Sequence, residues 1–143
     1  GAMTDQMVKD VMSPQVVYLP AEITLDEAAR EMREKDIGDV VVTEGASLAG
    51  VVTDRDIVVR AVADGRDPIS TTLGDVASRD LVMIQEEASP HDAAQLMREQ
   101  AIRRILVCDN ERRLVGVLSL GDLAVRMDPD SALGRISSAP PND

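Results

Sequence analysis

Gly50-Val51-Val52-Thr53-Asp54-Arg55-Asp56 is an apolar strand that runs into a hydroxyl residue with a carboxylate three positions further on. Gly116-Val117-Leu118-Ser119-Leu120-Gly121-Asp122 has the same form. A shift of roughly 65 residues lays the sequence around one copy over the other. Asp10-Val11 falls on Asp75-Val76, Ala28-Ala29 on Ala93-Ala94, Met32-Arg33-Glu34 on Met97-Arg98-Glu99, and Ile37 on Ile102. After one extra residue in the second copy, Leu48, Gly50, Asp56 and Arg60 fall on Leu114, Gly116, Asp122 and Arg126. The chain is an internal duplication, and each half is short enough that the two should share a core.

Each copy contains the same succession of local signals. Met7 to Met12 reads as a short leading helix that Pro14 prevents from continuing, and Val16 to Leu19 as a strand ended by Pro20. Thr24-Leu25-Asp26-Glu27 has capping-box spacing, and Leu25, Ala28, Ala29 and Met32 share one face of the helix it opens. Gly38 breaks that pattern. Val40-Val41-Val42 and Leu48 to Val52 then form an antiparallel hairpin about Glu44-Gly45-Ala46-Ser47. Thr53 and Asp56 stand at the N-cap and third position of a terminal helix expected to run to about Asp64, although Ile57-Val58-Val59 is a β-branched run that favours strand.

In the second copy, Leu73 to Val76, Val82 to Ile84, a helix opened by Ser89-Pro90-His91-Asp92, Ile105 to Val107 and Leu114 to Leu118 repeat this order. The boundaries follow: a first repeat over 7–65, a linker over 66–72, a second repeat over 73–129, and a tail over 130–143. The end of the tail, with Pro140, Pro141 and serines in place of an apolar period, is expected to be disordered.

The two glycine-apolar-apolar-Thr/Ser-x-x-Asp strings and the Ile102-Arg103-Arg104-Ile105 run resemble a tandem pair of cystathionine-β-synthase (CBS) domains, also called a Bateman module. Thr53-Asp54-Arg55-Asp56-Ile57 also resembles short stand-alone actinobacterial pairs of the hypoxic-response type. The resemblance covers nearly the whole chain. It implies an α+β fold of two β-α-β-β-α repeats packed about an internal pseudo-twofold axis, with two clefts between them. It also implies adenine nucleosides or nucleotides as ligands.

A Thr/Ser-x-x-Asp string taken alone is a helix cap, and capping is compatible with binding. The carboxylate can accept from two neighbouring ribose hydroxyls. The resemblance places Arg103 and Arg104 where residues reach ligand phosphates; without a ligand they would be two solvated charges. Ser119, Asp122, Arg103 and Arg104 therefore form the favoured ligand-binding set. Thr53 and Asp56 form a weaker one, because Gly38 and Asp39 stand where the arginines would be and a carboxylate there repels phosphate.

The formal net charge of -11 disfavours nucleic-acid backbones and anionic membranes as partners. Cys108 is the single cysteine, follows an apolar strand and is expected in the core, while His91 falls in the exposed first turn of a helix. Neither has a cysteine or histidine companion for a metal site, unlike stand-alone relatives that use one. No Gly-rich phosphate loop or nucleophile elbow occurs. Gly1-Ala2 before Met3 reads as the remnant of a cleaved tag. No signal peptide or spanning segment is recognisable, so the cytoplasm is the expected compartment.

These observations lead to a non-catalytic regulatory sensor that requires no cofactor, takes AMP, ADP, ATP or an S-adenosylmethionine-like ligand, and acts in trans on a downstream protein. The competing expectation is an interaction module whose clefts stay empty. Apolar residues spread around each terminal helix (Ile57, Val58, Ala61 and Val62; Leu123, Ala124 and Met127) imply a homodimer.

Overall fold

Alternating short apolar runs and polar turns fold as expected into two three-stranded sheets with helices, in a computed structural model that describes residues 6–127. The elements are α1 (Val8–Val11), β1 (Tyr18–Pro20), α2 (Leu25–Lys35), β2 (Asp39–Glu44), β3 (Ser47–Thr53), α3 (Asp54–Ile57), α4 (Leu73–Val76), β4 (Met83–Gln85), α5 (Pro90–Gln100), β5 (Arg104–Cys108), β6 (Leu114–Ser119) and α6 (Leu120–Met127). The described residues fall into two compact units, one formed by 17–81 and the other by 6–16 with 82–127.

In the unit 17–81, β2 is the central strand, parallel to β1 and antiparallel to β3. The turn joining β2 to β3 is Gly45-Ala46, and Gly45 takes φ 62°, a left-handed conformation glycine reaches without steric cost. Val40, Val42 and Val52 pack against Leu25, Ala28 and Met32 of α2. Burying a side chain of the size of Leu25, which has no exposed surface, contributes about 1.5 to 3 kcal/mol.

Two local expectations for α2 are corrected. Ala29 is exposed, because the inward stripe is narrow and runs through Leu25, Ala28 and Met32. The capping box at Thr24 does not form either: the Thr24 hydroxyl donates to Asp26 Oδ1 at 2.5 Å and does not accept from the Glu27 amide. The helix ends two residues before Gly38, at Asp36, whose φ of 54° lets its amide bond back to the carbonyls of Arg33 and Met32.

The terminal element of the first repeat departs from a single α-helix. After α3, Val58–Val62 is π-helical, with the Ala63 amide donating to Val58 O at 2.9 Å, and the chain reverses at Gly65 with φ 72°. The β-branched run opens the wider turn by crowding the preceding one. Residues 66–72 are no loose connector. The amides of Leu25 and Asp26 donate to Thr71 O at 2.9 Å and Pro68 O at 3.1 Å, which satisfies the otherwise orphaned start of α2.

The second unit repeats the plan with β5 between β4 and β6. Val107, Ile105 and Leu118 pack with Ala93 and Met97 of α5, and the Ser89 hydroxyl accepts from the Asp92 amide at 3.0 Å. Its core also holds Val8 and Val11 of α1, whereas α4 contributes Leu73 and Val76 to the other unit. Each short leading helix thus belongs to the unit built on the opposite sequence repeat. The Val8 amide donates to Ala88 O at 2.8 Å and the Leu73 amide to Ile23 O at 2.9 Å. Residues 128–143, which include the tail, lie outside the described residues.

Candidate ligand-binding corners

Both repeated strings form the same local device, a strand that turns into a helix through reciprocal capping bonds. At the end of β3, Thr53 N–H donates to Asp56 Oδ2 at 2.9 Å and Asp56 N–H to Thr53 Oγ1 at 3.0 Å. At the end of β6, Ser119 N–H donates to Asp122 Oδ2 at 3.1 Å and Asp122 N–H to Ser119 Oγ at 3.0 Å. The strand beside each corner is tied to it through the backbone: the Asp54 amide donates to Gly38 O at 3.0 Å and the Leu120 amide to Arg103 O at 2.8 Å.

This geometry assembles the residues singled out from the sequence, one set in each unit. Arg104 lies opposite Ser119 in the β5–β6 pair, so Arg103, Arg104, Ser119 and Asp122 surround one corner. Arg103 is exposed and Arg104 half-buried. In the other unit Asp39 lies opposite Thr53, and the corner comprises Gly38, Asp39, Thr53 and Asp56.

The corners differ at one group that the sequence reading passed over. Arg60, one turn after Asp56, places its Nε 3.7 Å from Asp56 Oδ1 and donates through Nη1 to Val76 O at 3.1 Å. Its counterpart Arg126 donates to Met12 O at 3.2 Å. Among the described residues Asp122 Oδ1 has no hydrogen-bond or ion-pair partner. The i,i+4 spacing of Asp56 and Arg60 was the available signal, but the same spacing occurs at Asp122 and Arg126 without the pair.

The remaining candidates stand apart from both corners. Cys108 is a free, buried thiol whose Sγ donates to Ile84 O at 3.6 Å, and His91 is exposed near the start of α5. Among the described residues no three histidine, cysteine or acidic side chains converge as a metal site. Nor is any described helix long and apolar enough to cross a membrane.

Two three-stranded sheets with helices, each closing a strand into a Thr/Ser-x-x-Asp cap, define a tandem CBS pair. The CBS domain family matches residues 8–62 and again 73–128, and this chain belongs to it. It is similar to the CBS domain-containing protein YhcV of Bacillus subtilis, 40% identical over 127 residues that make up 89% of each chain. It is also similar to Hypoxic response protein 1 of Mycobacterium tuberculosis, 35% identical over 126 residues and 87% of each chain.

The crystal structure of Hypoxic Response Protein I, described as holding two coordinated zinc ions, superposes with a TM-score of 0.66 at 34% identity over 83% of this chain and 97% of that one. A hexameric CBS-CP12 protein from bloom-forming cyanobacteria gives a TM-score of 0.78 at 25% identity over 86% of this chain and 72% of that one. CBS pairs of this kind are typically regulatory or ligand-binding modules, and relatives made of CBS domains alone are generally non-catalytic.

Proposed function

We propose that the chain is a non-catalytic sensor that binds an adenine nucleotide at the Ser119–Asp122 corner and acts in trans on another cytoplasmic protein. The observation that carries this reading is the spare carboxylate oxygen of Asp122. One oxygen holds the helix cap, and the second is left to accept from ribose hydroxyls, whereas Asp56 faces Arg60 at 3.7 Å. Arg103 and Arg104 beside the same corner suit a phosphate, for which guanidinium groups supply paired donors.

The proposed molecule is a homodimer. Val58, Val59 and Val62 are 56%, 49% and 61% exposed, an apolar surface that self-association would cover.

A thermal-shift series with AMP, ADP, ATP, S-adenosylmethionine and NAD tests the ligand. A ligand that prefers the folded state raises the melting temperature with its concentration. The expected result is a rise with at least one adenine nucleotide. No rise across the series would overturn the sensor reading in favour of an interaction module.

A further inference from the structure

The unit 17–81 contains a groove of about 300 Å³, remote in sequence from the Thr53–Asp56 corner and lined by Leu19, Ile23, Glu27, Arg30, Glu31 and Glu34. Leu19 and Ile23 are half-buried against the core and form an apolar floor, while successive turns of α2 supply the charged wall. We propose that this groove docks a basic extended peptide segment that carries an aliphatic side chain between two cations. The inference is independent of any nucleotide.

Two of the four charged groups of the wall are spent within α2 and two are not. Arg30 pairs with Asp26 at 3.2 Å and Glu31 pairs with Lys35, both within α2. Glu27 and Glu34 are exposed and have no ion pair or side-chain hydrogen bond among the described residues. They are seven residues apart, which the helical rise converts to about 10 Å along the groove. In an extended segment, side chains at i, i+2 and i+4 share a face and the outer pair lies about 13 Å apart. Lysines or arginines at the ends reach both carboxylates while the central side chain rests on Leu19 and Ile23. The net charge of -11 draws such a segment toward the molecule.

The second repeat lacks this combination. There Ile84, Ala88, Asp92, Gln95, Leu96 and Glu99 occupy the corresponding positions. Leu96 stands where Glu31 does and, like Ile84 and Ala88, is partly buried against the core, so an apolar side chain replaces a carboxylate of the wall. Gln95 donates to Glu99 at 3.1 Å, which engages the carboxylate equivalent to Glu34.

The probe is a fluorescein-labelled Ser-Lys-Ser-Leu-Ser-Lys-Ser peptide, titrated by anisotropy at low salt without nucleotide, with amide NMR shifts recorded in parallel. Expected are shifts confined to residues 19–34, at least tenfold weaker binding for a Glu27→Gln/Glu34→Gln protein, and weaker binding when the peptide leucine is replaced by serine. The proposal is overturned if a peptide with glutamates for lysines binds equally, if the shifts lie elsewhere, or if no shift appears at millimolar peptide. Equal binding by spermine would show that the apolar floor plays no part and overturn it too. Shifts of Leu19 and Ile23 on concentrating the protein alone would assign the groove to a second copy and reject the peptide.

Discussion

The Ser78 carbonyl oxygen lies 2.5 Å from the point that a Cβ on Gly50 would occupy. Two hydrogen bonds fix that approach, Val51 N–H to Ser78 O and Ser78 N–H to Val51 O, each 3.0 Å. The second repeat has the same contact: a Cβ on Gly116 would meet Ser13 O at 2.6 Å, with Ser13 and Val117 exchanging bonds of 2.9 Å. The glycine of each repeated string is thus required by backbone crossing the sheet edge, not by a turn.

Gly50→Ala and Gly116→Ala should each destabilise by about 1 to 3 kcal/mol, the usual cost of forcing a methyl group into packed surroundings. Gly121→Ala is the control, since its added Cβ would meet only Ser119 Oγ at 3.7 Å and alanine favours a helix. Chemical denaturation should show the first two midpoints lowered and the third unchanged or raised. Unchanged stability in Gly50→Ala would mean that the Ser78 crossing is not fixed.

Arg126 and Arg60 bind the carbonyls that end the leading helices, Met12 and Val76 respectively. Because each tie crosses between sequence repeats but stays within one compact unit, the variants should act selectively. Arg126→Met is expected to speed hydrogen exchange in Val8–Val11 and leave Leu73–Val76 protected, and Arg60→Met the reverse. Both are partly buried hydrogen bonds from a charged donor, so each loss should cost about 1.5 to 3 kcal/mol. Equal effects on both helices would reject the assignment.

Much of this fold was legible because duplication supplies two readings of every element. The hairpins and both Thr/Ser-Asp caps recur at equivalent places, whereas the left-handed ends of the long helices at Asp36 and Ala101 carry no glycine to announce them. What was not legible depended on nonlocal partners or local competition. Nothing in α1 itself says that Val8 and Val11 will pack with Ala93 rather than with α2. Ile57-Val58-Val59 signals conflict with an α-helix, but not that the outcome is a π-turn. The candidate corners were visible as strings, whereas the Asp56–Arg60 pair that distinguishes them depends on a side-chain conformation that the shared i,i+4 spacing does not determine.

Asp75 should contribute to the acid limb of stability, together with Asp26 and Asp109, whose carboxyls are also held below the usual aspartate value. The Thr72 amide donates to Asp75 Oδ2 at 2.9 Å, and with the Thr72 hydroxyl and nearby Arg66 this holds the Asp75 carboxyl below the usual aspartate value. A carboxylate lowered on folding stabilises the native state above its unfolded pKa, and that contribution is lost as pH falls through the folded value. Stability should therefore fall below about pH 4, where unfolded aspartates take up protons. Asp75→Asn should flatten this limb, and carboxyl NMR should place the Asp75 titration below the ordinary aspartate range. A midpoint at or above that range would remove the basis of the expectation.

Self-association, if it covers the exposed valines of the π-helical turn, should respond to charge placed there. Val58→Glu and Val62→Glu should shift light-scattering mass from dimer to monomer at micromolar concentration, while the melting profile of the unit core, anchored by Ala61, remains cooperative. Wild-type protein already monomeric under these conditions would overturn the dimer.

The sharpest division between the corners concerns phosphate. Removing one charge-assisted contact costs about 1.5 to 3 kcal/mol, so Arg104→Ala should weaken AMP by roughly tenfold to a hundredfold. Adenosine, which has no phosphate to lose, should be affected much less. Asp122→Ala should weaken both ligands through the ribose. Asp56→Ala should leave AMP nearly unchanged, because that carboxylate already faces Arg60 at 3.7 Å and stands opposite the strand that carries Asp39. Calorimetric titrations make the comparison, with each variant first shown to be folded, since both aspartates also cap a helix. If Asp56→Ala abolished AMP binding and Asp122→Ala preserved it, the working corner would be the first one. In that case the cation beside phosphate would have to be sought near Arg55, which is exposed two residues after Thr53 where the second repeat has Gly121.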